Sequence, residues 1–277
     1  MLILTVKQFI RNFLFGIMGE RRARGYIRRL RGQKPSFSEA ELILEYFETH
    51  PRLGTMIDVG AHFGESLAPY LRMGWKILAF EPDPANRAKL QQNVDASRIR
   101  LFDSAVSDHA EEGVAFFASP ESDGISGLSA FRDSHREVNR VRLVTLDAVL
   151  EKEAVENVDF LKIDTEGHDL LALKGFPWTR ITPEVILCEF EDSKTVPLGY
   201  TYRDMGDYLL AQGYTVFLSE WAPIVRYGIT HQWKSWRAYP CALASPKAWG
   251  NLVAFKRGVV LQSLSAYSKR IGGDWQF

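Results

Sequence analysis

Cysteine is scarce in this sequence: Cys188 and Cys241 are the two thiols among 277 residues. Two thiols cannot build a disulfide framework, and no zinc-type Cys or His spacing accompanies them. A cytoplasmic, reducing setting is expected. Low-complexity tracts, fixed repeats and sustained heptads are absent, which excludes disordered, collagen-like and coiled-coil architectures. Near the apolar N-terminus, Lys7 and Arg11 interrupt any uncharged run of about 18 residues, so a membrane-spanning helix is not expected. No basic residue precedes that stretch and no small-residue cleavage site closes it, which argues against a signal peptide. Net charge is missing too, with 34 basic residues against 34 acidic ones.

What is present is an ordinary globular mixture, 46% apolar and 25% charged, long enough for one large domain with an appendage. The charge is lopsided. Residues 1–34 hold nine basic residues and one acid, a net +8 that leaves the rest of the chain at −8. Leu2, Ile3, Val6, Phe9, Ile10, Phe13, Leu14 and Ile17 share one arc of a helical wheel, and six arginines follow between Arg21 and Arg31. An apolar face beside a polybasic stretch is the two-signal pattern for lying on an anionic membrane, here the inner face. The alternative is a helix packed on the domain or on a second subunit as a homodimer. A nucleic acid partner is not expected. Residues 33–37, around Pro35, read as a linker between this basic amphipathic extension, residues 1–34, and a body of residues 35–277.

In the body, Ser38 and Glu41 read as a capping box opening a helix that Pro51 ends. Strand and helix patterns then alternate: strands at 55–59, 76–80, 99–102, 160–163, 185–190, 214–218 and 252–255, and helices at 66–73, 86–94, 146–153, 170–173 and 204–211. Val114–Phe117 reads as part of a hairpin, and 140–145 as extended. Alternation of this kind predicts an α/β fold with a mostly parallel sheet and helices on both faces. Ser122–His135 lacks clear periodicity and is read as a candidate lid.

Met56-Ile57-Asp58-Val59-Gly60-Ala61-His62-Phe63-Gly64 joins the first strand to its helix, at the edge of the sheet where α/β ligands bind. The dinucleotide fingerprint is absent, because Val59 and Ala61 stand where it needs glycine. Asp58 instead offers a carboxylate toward a cationic ligand. Glu81 follows Gly60 by 21 residues and ends the second strand, a placement that suits a ribose diol.

Asp58-Val59-Gly60-Ala61 with Gly64, followed by Phe80-Glu81-Pro82, resembles the class I S-adenosylmethionine-dependent methyltransferases, which have a Rossmann-like fold with a seven-stranded sheet. Asp103-Ser104-Ala105-Val106, Phe116-Phe117, Ser126-Gly127-Leu128-Ser129, Val144-Thr145-Leu146-Asp147, Lys162-Ile163-Asp164-Thr165-Glu166-Gly167-His168-Asp169 and Leu187-Cys188-Glu189-Phe190 narrow this to the FkbM family. The resemblance spans roughly residues 53–257. His62 stands where that family often has Asn, and Asp169 where it often has Glu.

The resemblance implies an O-methyltransferase using S-adenosylmethionine. Asp58, Gly60, Ala61, His62 and Gly64 would form the methionine-side loop, Glu81 and Pro82 the adenosine side, and Ser104 and Ala105 would flank the adenine. Asp164 would face the methyl-donor amine or the acceptor. Asp164, Glu166 and His168 are the candidate catalytic residues, since a hydroxyl must lose its proton as it attacks. For His168 the plainer reading is a surface histidine in a helix first turn, and for Asp169 an acid favoured there by the helix dipole. Asp164, Glu166 and Glu189 could share a divalent ion, but no metal centre is predicted. Residues 219–250 are read as an acceptor-binding insert. Trp221, His231, Trp233 and Trp236 are its candidate contacts, with Trp249 and Tyr227 nearby, and core packing is the alternative. The favoured acceptor is a saccharide or lipid-linked glycan. A small secondary metabolite is the next choice. A nucleotide-dependent oxidoreductase, or a non-catalytic membrane-associated binding protein on the same fold, represents a different class.

Overall fold

Short runs of β-branched and apolar residues, too brief for helices and bounded by turn residues, form the middle of the molecule. The structure, a computed structural model, describes residues 37–226, 229, 231–258 and 267. The extension at residues 1–34 and Tyr227 lie outside the described residues.

The first described helix is α1 (Glu39–Thr49), capped by the Ser38 side chain, which accepts from the Glu41 amide as expected. Then come β1 (Thr55–Val59), α2 (Ala68–Arg72), β2 (Lys76–Phe80), α3 (Pro84–Asn93) and β3 (Arg100–Phe102). Four further strands follow, β4 (Ala105–Val106), β5 (Glu111–Ser119), β6 (Ser122–Gly127) and β7 (Arg136–Val144). The chain continues through α4 (Leu146–Lys152), β8 (Phe160–Ile163), α5 (Asp169–Lys174), β9 (Val185–Glu191), α6 (Asp192–Thr195) and α7 (Tyr202–Ala211). It closes with β10 (Tyr214–Trp221), β11 (Trp233–Ala238) and β12 (Trp249–Lys256).

The main sheet has eight strands in the order β11-β10-β12-β9-β8-β1-β2-β3. Its pairings from β9 to β3 are parallel, and β12, β10 and β11 join antiparallel. The eighth strand, β11, lies inside the segment read as an insert, so Trp233–Ala238 extends the sheet rather than standing apart from it. A second, four-stranded sheet has the order β4-β7-β5-β6.

Strand alternation sorts the core into two halves. Ile57, Val59, Leu78 and Phe80 pack with Leu146 and Leu150 of α4, Leu170 and Leu173 of α5, and Leu209 of α7. Met56, Ile77 and Ala79 point the other way, against Leu42, Ile43 and Phe47 of α1, Leu71 of α2 and Leu90 of α3. Helices therefore cover both faces. Burial of this kind stabilises at about 25 cal/mol per Å² of apolar surface.

Ser122–His135 is not a structureless loop. Its first part is β6, paired antiparallel with β5. Its second part is tied back by Ser134 Oγ, 2.9 Å from Ser119 Oγ, and by His135 Nε2, 2.9 Å from the Ile125 carbonyl. The alternation there is too weak to show from sequence, because the strand carries Ser, Asp and two Gly.

Candidate active site

The turn after β1 is the first element of the site. Gly60, His62 and Gly64 all have positive φ, at 77°, 48° and 80°. At Gly60 a Cβ would sit 1.8 Å from the Asp164 carbonyl oxygen, so only glycine fits and the turn lies directly against the end of β8. His62 occupies the left-handed region, which histidine and asparagine tolerate better than most side chains. That is a physical reason why the two residues can replace one another here.

Glu81, just past β2, is buried. Its Oε2 accepts from the His62 amide and its Oε1 from the Asp83 amide, each at 2.8 Å. Each oxygen keeps lone-pair capacity for a further donor. Burial pushes the carboxyl up to about 7, against the lowering effect of those two bonds. In the turn after β1 and just past β3, two further polar atoms are buried with no hydrogen-bond partner among the described residues, His62 Nε2 and Ser104 Oγ. A buried polar atom without a partner is costly, about 1–3 kcal/mol, unless a ligand or water completes it. An acidic acceptor, a hydroxyl and an imidazole grouped at the strand ends fit the adenosine and methionine parts of S-adenosylmethionine. Ala105 is buried beside Ser104 in β4. A polar cleft of about 300 Å³ lined by Pro82, Arg87, Asp103, Asn139 and Arg142 opens between these strand ends and the second sheet.

Asp58 has a different partner from the one expected. It is fully buried, and the register sets it opposite Lys162 of β8. Lys162 Nζ lies 3.1 Å from its Oδ1, and Ser66 donates to its Oδ2 at 2.5 Å. The cation that Asp58 meets is therefore a side chain of its own chain, and Asp58 supports the loop from beneath. Lys162 also donates to the Gly60 carbonyl at 3.2 Å and lies 3.5 Å from Asp164. A lysine inside an otherwise apolar four-residue strand was the sequence signal for this role.

At the end of β8 the carboxylates divide. Asp164 is 42% exposed. Glu166, at φ 57°, is buried and held by Lys194 Nζ at 2.5 Å. Lys194 itself is 3% exposed and also reaches Glu191 at 2.9 Å and Glu189 at 3.3 Å. Carboxylate oxygens of Asp164, Glu166 and Glu189 lie within 4.8 Å of one another; Lys194 pairs with Glu166 and Glu189, while Asp164 faces Lys162. Lys194 comes from α6, and nothing in its sequence neighbourhood ties it to Glu166.

His168 caps α5 and is half-buried, with its Nδ1 unpartnered among the described residues. Burial lowers it to about 4, opposed by Asp108. The charged groups that act on it are Asp108 and His109. Asp169 is not a surface acid. It is buried, its Oδ2 accepts from Thr165 Oγ1 at 2.8 Å, and its Oδ1 accepts from the Glu189 amide at 3.2 Å. It fastens the loop after β8 to β9.

The aromatic insert is divided as well. Trp236 is buried, stacked on Phe217 with centroids 5.2 Å apart, and Trp233 stacks on Phe37 at 4.5 Å. Trp236 is a core residue, because it lies mid-strand on the face that α1 covers. Glu39 Oε1 accepts from Ser219 Oγ at 2.6 Å, Trp221 Nε1 at 2.8 Å and Asn251 Nδ2 at 3.1 Å. Trp221, Trp249 and His231 remain partly exposed, with ring centroids 5.7 Å apart for the two tryptophans and 5.3 Å for His231 and Trp249.

A mostly parallel sheet with helices on both faces, a glycine turn after β1 and an acidic residue just past β2 are the features of a Rossmann-like class I methyltransferase. Residues 58–216, more than half of the chain, match the methyltransferase FkbM domain. The chain belongs to the FkbM methyltransferase family, and S-adenosylmethionine is the methyl donor that this class uses. No curated protein matches it. Among solved structures it is similar to a precorrin-6y C5,15-methyltransferase from Geobacter metallireducens, at 14% identity and TM-score 0.38, over 78% of this chain and 88% of that one. An rRNA methylase from Streptococcus thermophilus aligns at 9% identity and TM-score 0.40, over 80% of this chain and 100% of that one. A ribosomal protein L11 methylase from Lactobacillus delbrueckii subsp. bulgaricus aligns at 9% identity and TM-score 0.38, over 78% and 77%.

Proposed function

We propose that this methyltransferase acts on a hydroxyl, with a saccharide or lipid-linked glycan as acceptor, and that Asp164 takes the hydroxyl proton. The observation that carries the reading is the contrast among the carboxylates: Asp164 is 42% exposed against the Gly60 turn, whereas Glu166 and Glu189 are enclosed with Lys194. The bound donor would supply an activated methyl group on a sulfonium. Glu81 would accept from the ribose hydroxyls, and His62 and Ser104 would satisfy polar atoms of the methionine and adenine sides. Asp164 would hold the acceptor oxygen in line and accept its proton as the new C–O bond forms. Orientation of this kind supplies effective molarities of roughly 10⁵–10⁸ M.

The saccharide reading is supported by the exposed aromatic edge. Trp249 pairs with Glu191 at the carboxyl end of β9, two strands from β8. Two strands at about 4.8 Å each and two residues of register at about 3.3 Å each put it roughly 12 Å from Asp164, a separation that suits an extended acceptor. Calorimetric titration with S-adenosylhomocysteine and with NAD tests the cofactor. The first should bind and the second should not. Labelled methyl donor with panels of glycans, lipid-linked saccharides and small hydroxylated metabolites tests the acceptor. Transfer confined to the metabolites, or to amines, would overturn the glycan reading.

A further inference from the structure

Three carboxylates and one ammonium are enclosed together beside the methyl-transfer centre. Lys194 contacts Glu166, Glu189 and Glu191, and the side chains are 3%, 11%, 13% and 13% exposed in that order. One cation cannot neutralise three buried anions. Leaving the excess charge in place is far more expensive than keeping a proton on one carboxyl. Glu166 and Glu189 are the two members closest to Asp164. Charged groups face this pair from every neighbouring element: Asp164 from the loop after β8, Asp169 from α5, Glu191 from β9 and Lys194 from α6. Burial raises the proton affinity of both Glu166 and Glu189, and Lys194 opposes that rise.

The cluster is roofed. A Cβ on Gly127 of β6 would meet Glu166 Cβ at 3.3 Å, and the Phe131 ring lies 5.1 Å from Lys194 Nζ. The segment is also joined to α3, where Lys89 reaches Asp123 at 2.8 Å. The roof excludes water from the pair and leaves Asp164 as its exposed neighbour.

We propose that Lys194 is a positioning residue that clamps Glu166 and Glu189 into a proton-sharing pair behind Asp164, and that this pair receives the proton released by the acceptor. This rests on the reading of the site as a hydroxyl methyltransferase. In the step, the acceptor oxygen forms its bond to the methyl carbon. The methyl–sulfur bond breaks with its electron pair left on sulfur, giving S-adenosylhomocysteine. The hydroxyl proton passes to Asp164 and from there to the ionised member of the pair. Asp164 returns it to solvent when the product leaves.

The test needs no identified acceptor. Infrared difference spectra of the full-length protein across pH report a protonated carboxyl through its C=O stretch. The wild type should show such a band at neutral pH, and Glu166→Gln and Glu189→Gln should each lower or shift it, leaving the component that Glu81 contributes. Lys194→Met should raise the proton affinity behind that band about tenfold or more, since an opposite charge this close shifts a carboxyl by roughly one to three pH units. Lys194→Arg should restore a titration close to the wild type. A neutral-pH band that survives unchanged in both glutamine variants overturns the proposal, whether or not Lys194→Met folds. So does a folded Lys194→Met protein with the wild-type titration. Calorimetry of the wild type with S-adenosylhomocysteine is run alongside. Absence of binding there sinks the methyltransferase reading itself, whatever the infrared band does.

Discussion

Glu81 has two duties, and its replacement should expose both. Its carboxylate would receive the ribose hydroxyls, and it already accepts from the His62 and Asp83 amides at 2.8 Å. In Glu81→Gln one oxygen becomes an amide donor. Wherever that amide points, it faces one of those two N–H groups, so one backbone donor loses its partner and one ribose bond is lost. Each bond to a charged acceptor is worth roughly 1.5–3 kcal/mol. Even one such loss at the bottom of that range lowers affinity about tenfold, since 1.4 kcal/mol is a factor of ten. The pH dependence carries the same signature. Burial raises the folded carboxyl to about 7, while an unfolded glutamate titrates near ~4.3. Between those values the folded state keeps a proton that the unfolded chain has released. This group's contribution to stability therefore falls as pH rises from about 4 to about 7, then levels off. Ribose hydroxyls donate to the ionised form, so binding of S-adenosylhomocysteine should release a proton below pH ~7 and weaken there, by up to about tenfold per pH unit. Isothermal calorimetry in two buffers of different ionisation enthalpy measures both affinity and proton release. A dissociation constant that is flat with pH in the wild type, or unchanged in Glu81→Gln, would refute the assignment.

Asp164→Asn should reduce turnover roughly 10²-fold or more while leaving the affinity for S-adenosylhomocysteine within a few-fold, the usual scale for losing a general base; a near wild-type rate would move the base elsewhere. Gly60→Ala places a methyl 1.8 Å from the Asp164 carbonyl at φ 77°, so it should abolish cofactor binding and lower the melting temperature by several degrees, and thermal denaturation with and without ligand checks both. Glu39→Ala strands Ser219, Trp221 and Asn251 donors, which should cost about 2–4 kcal/mol in urea unfolding yet spare cofactor affinity. Full-length protein should sediment with vesicles of anionic lipid, less so as salt rises; indifference at low salt would reject the membrane reading of residues 1–31.

The alternation of strand and helix was legible because it is local. Val185–Cys188 is a continuous apolar run and Phe160–Ile163 is interrupted by Lys162 alone, and a strand covered on both faces is the natural use of such runs. Gly60 and Glu81 were legible because a turn and a strand end impose chemistry on single positions. The partners were not. Asp58 and Lys162 meet through the β1–β8 register, over a hundred residues apart in the chain. Lys194 reaches Glu166 only because α6 follows β9 at the carboxyl edge. Tryptophan composition also misled at Trp236, whose fate depends on which face of β11 α1 covers. One sequence records side-chain types but not the tertiary pairings that neutralise them.

Phe37 is where the described chain enters the body, and its ring lies on Trp233 at 4.5 Å. Two residues on, Glu39 is bonded to Trp221 beside Trp249. Arg31 and Phe37 are six positions apart in the chain. Even fully extended, six such steps span no more than about 22 Å. Whatever surface captures the arginines is thereby leashed to the aromatic edge that is proposed to meet the acceptor. On the proposed reading, docking and substrate entry would be one geometric event: a bilayer that held the extension would also hold the aromatic edge close to its surface, and a protein partner in the same position would stand across that entrance.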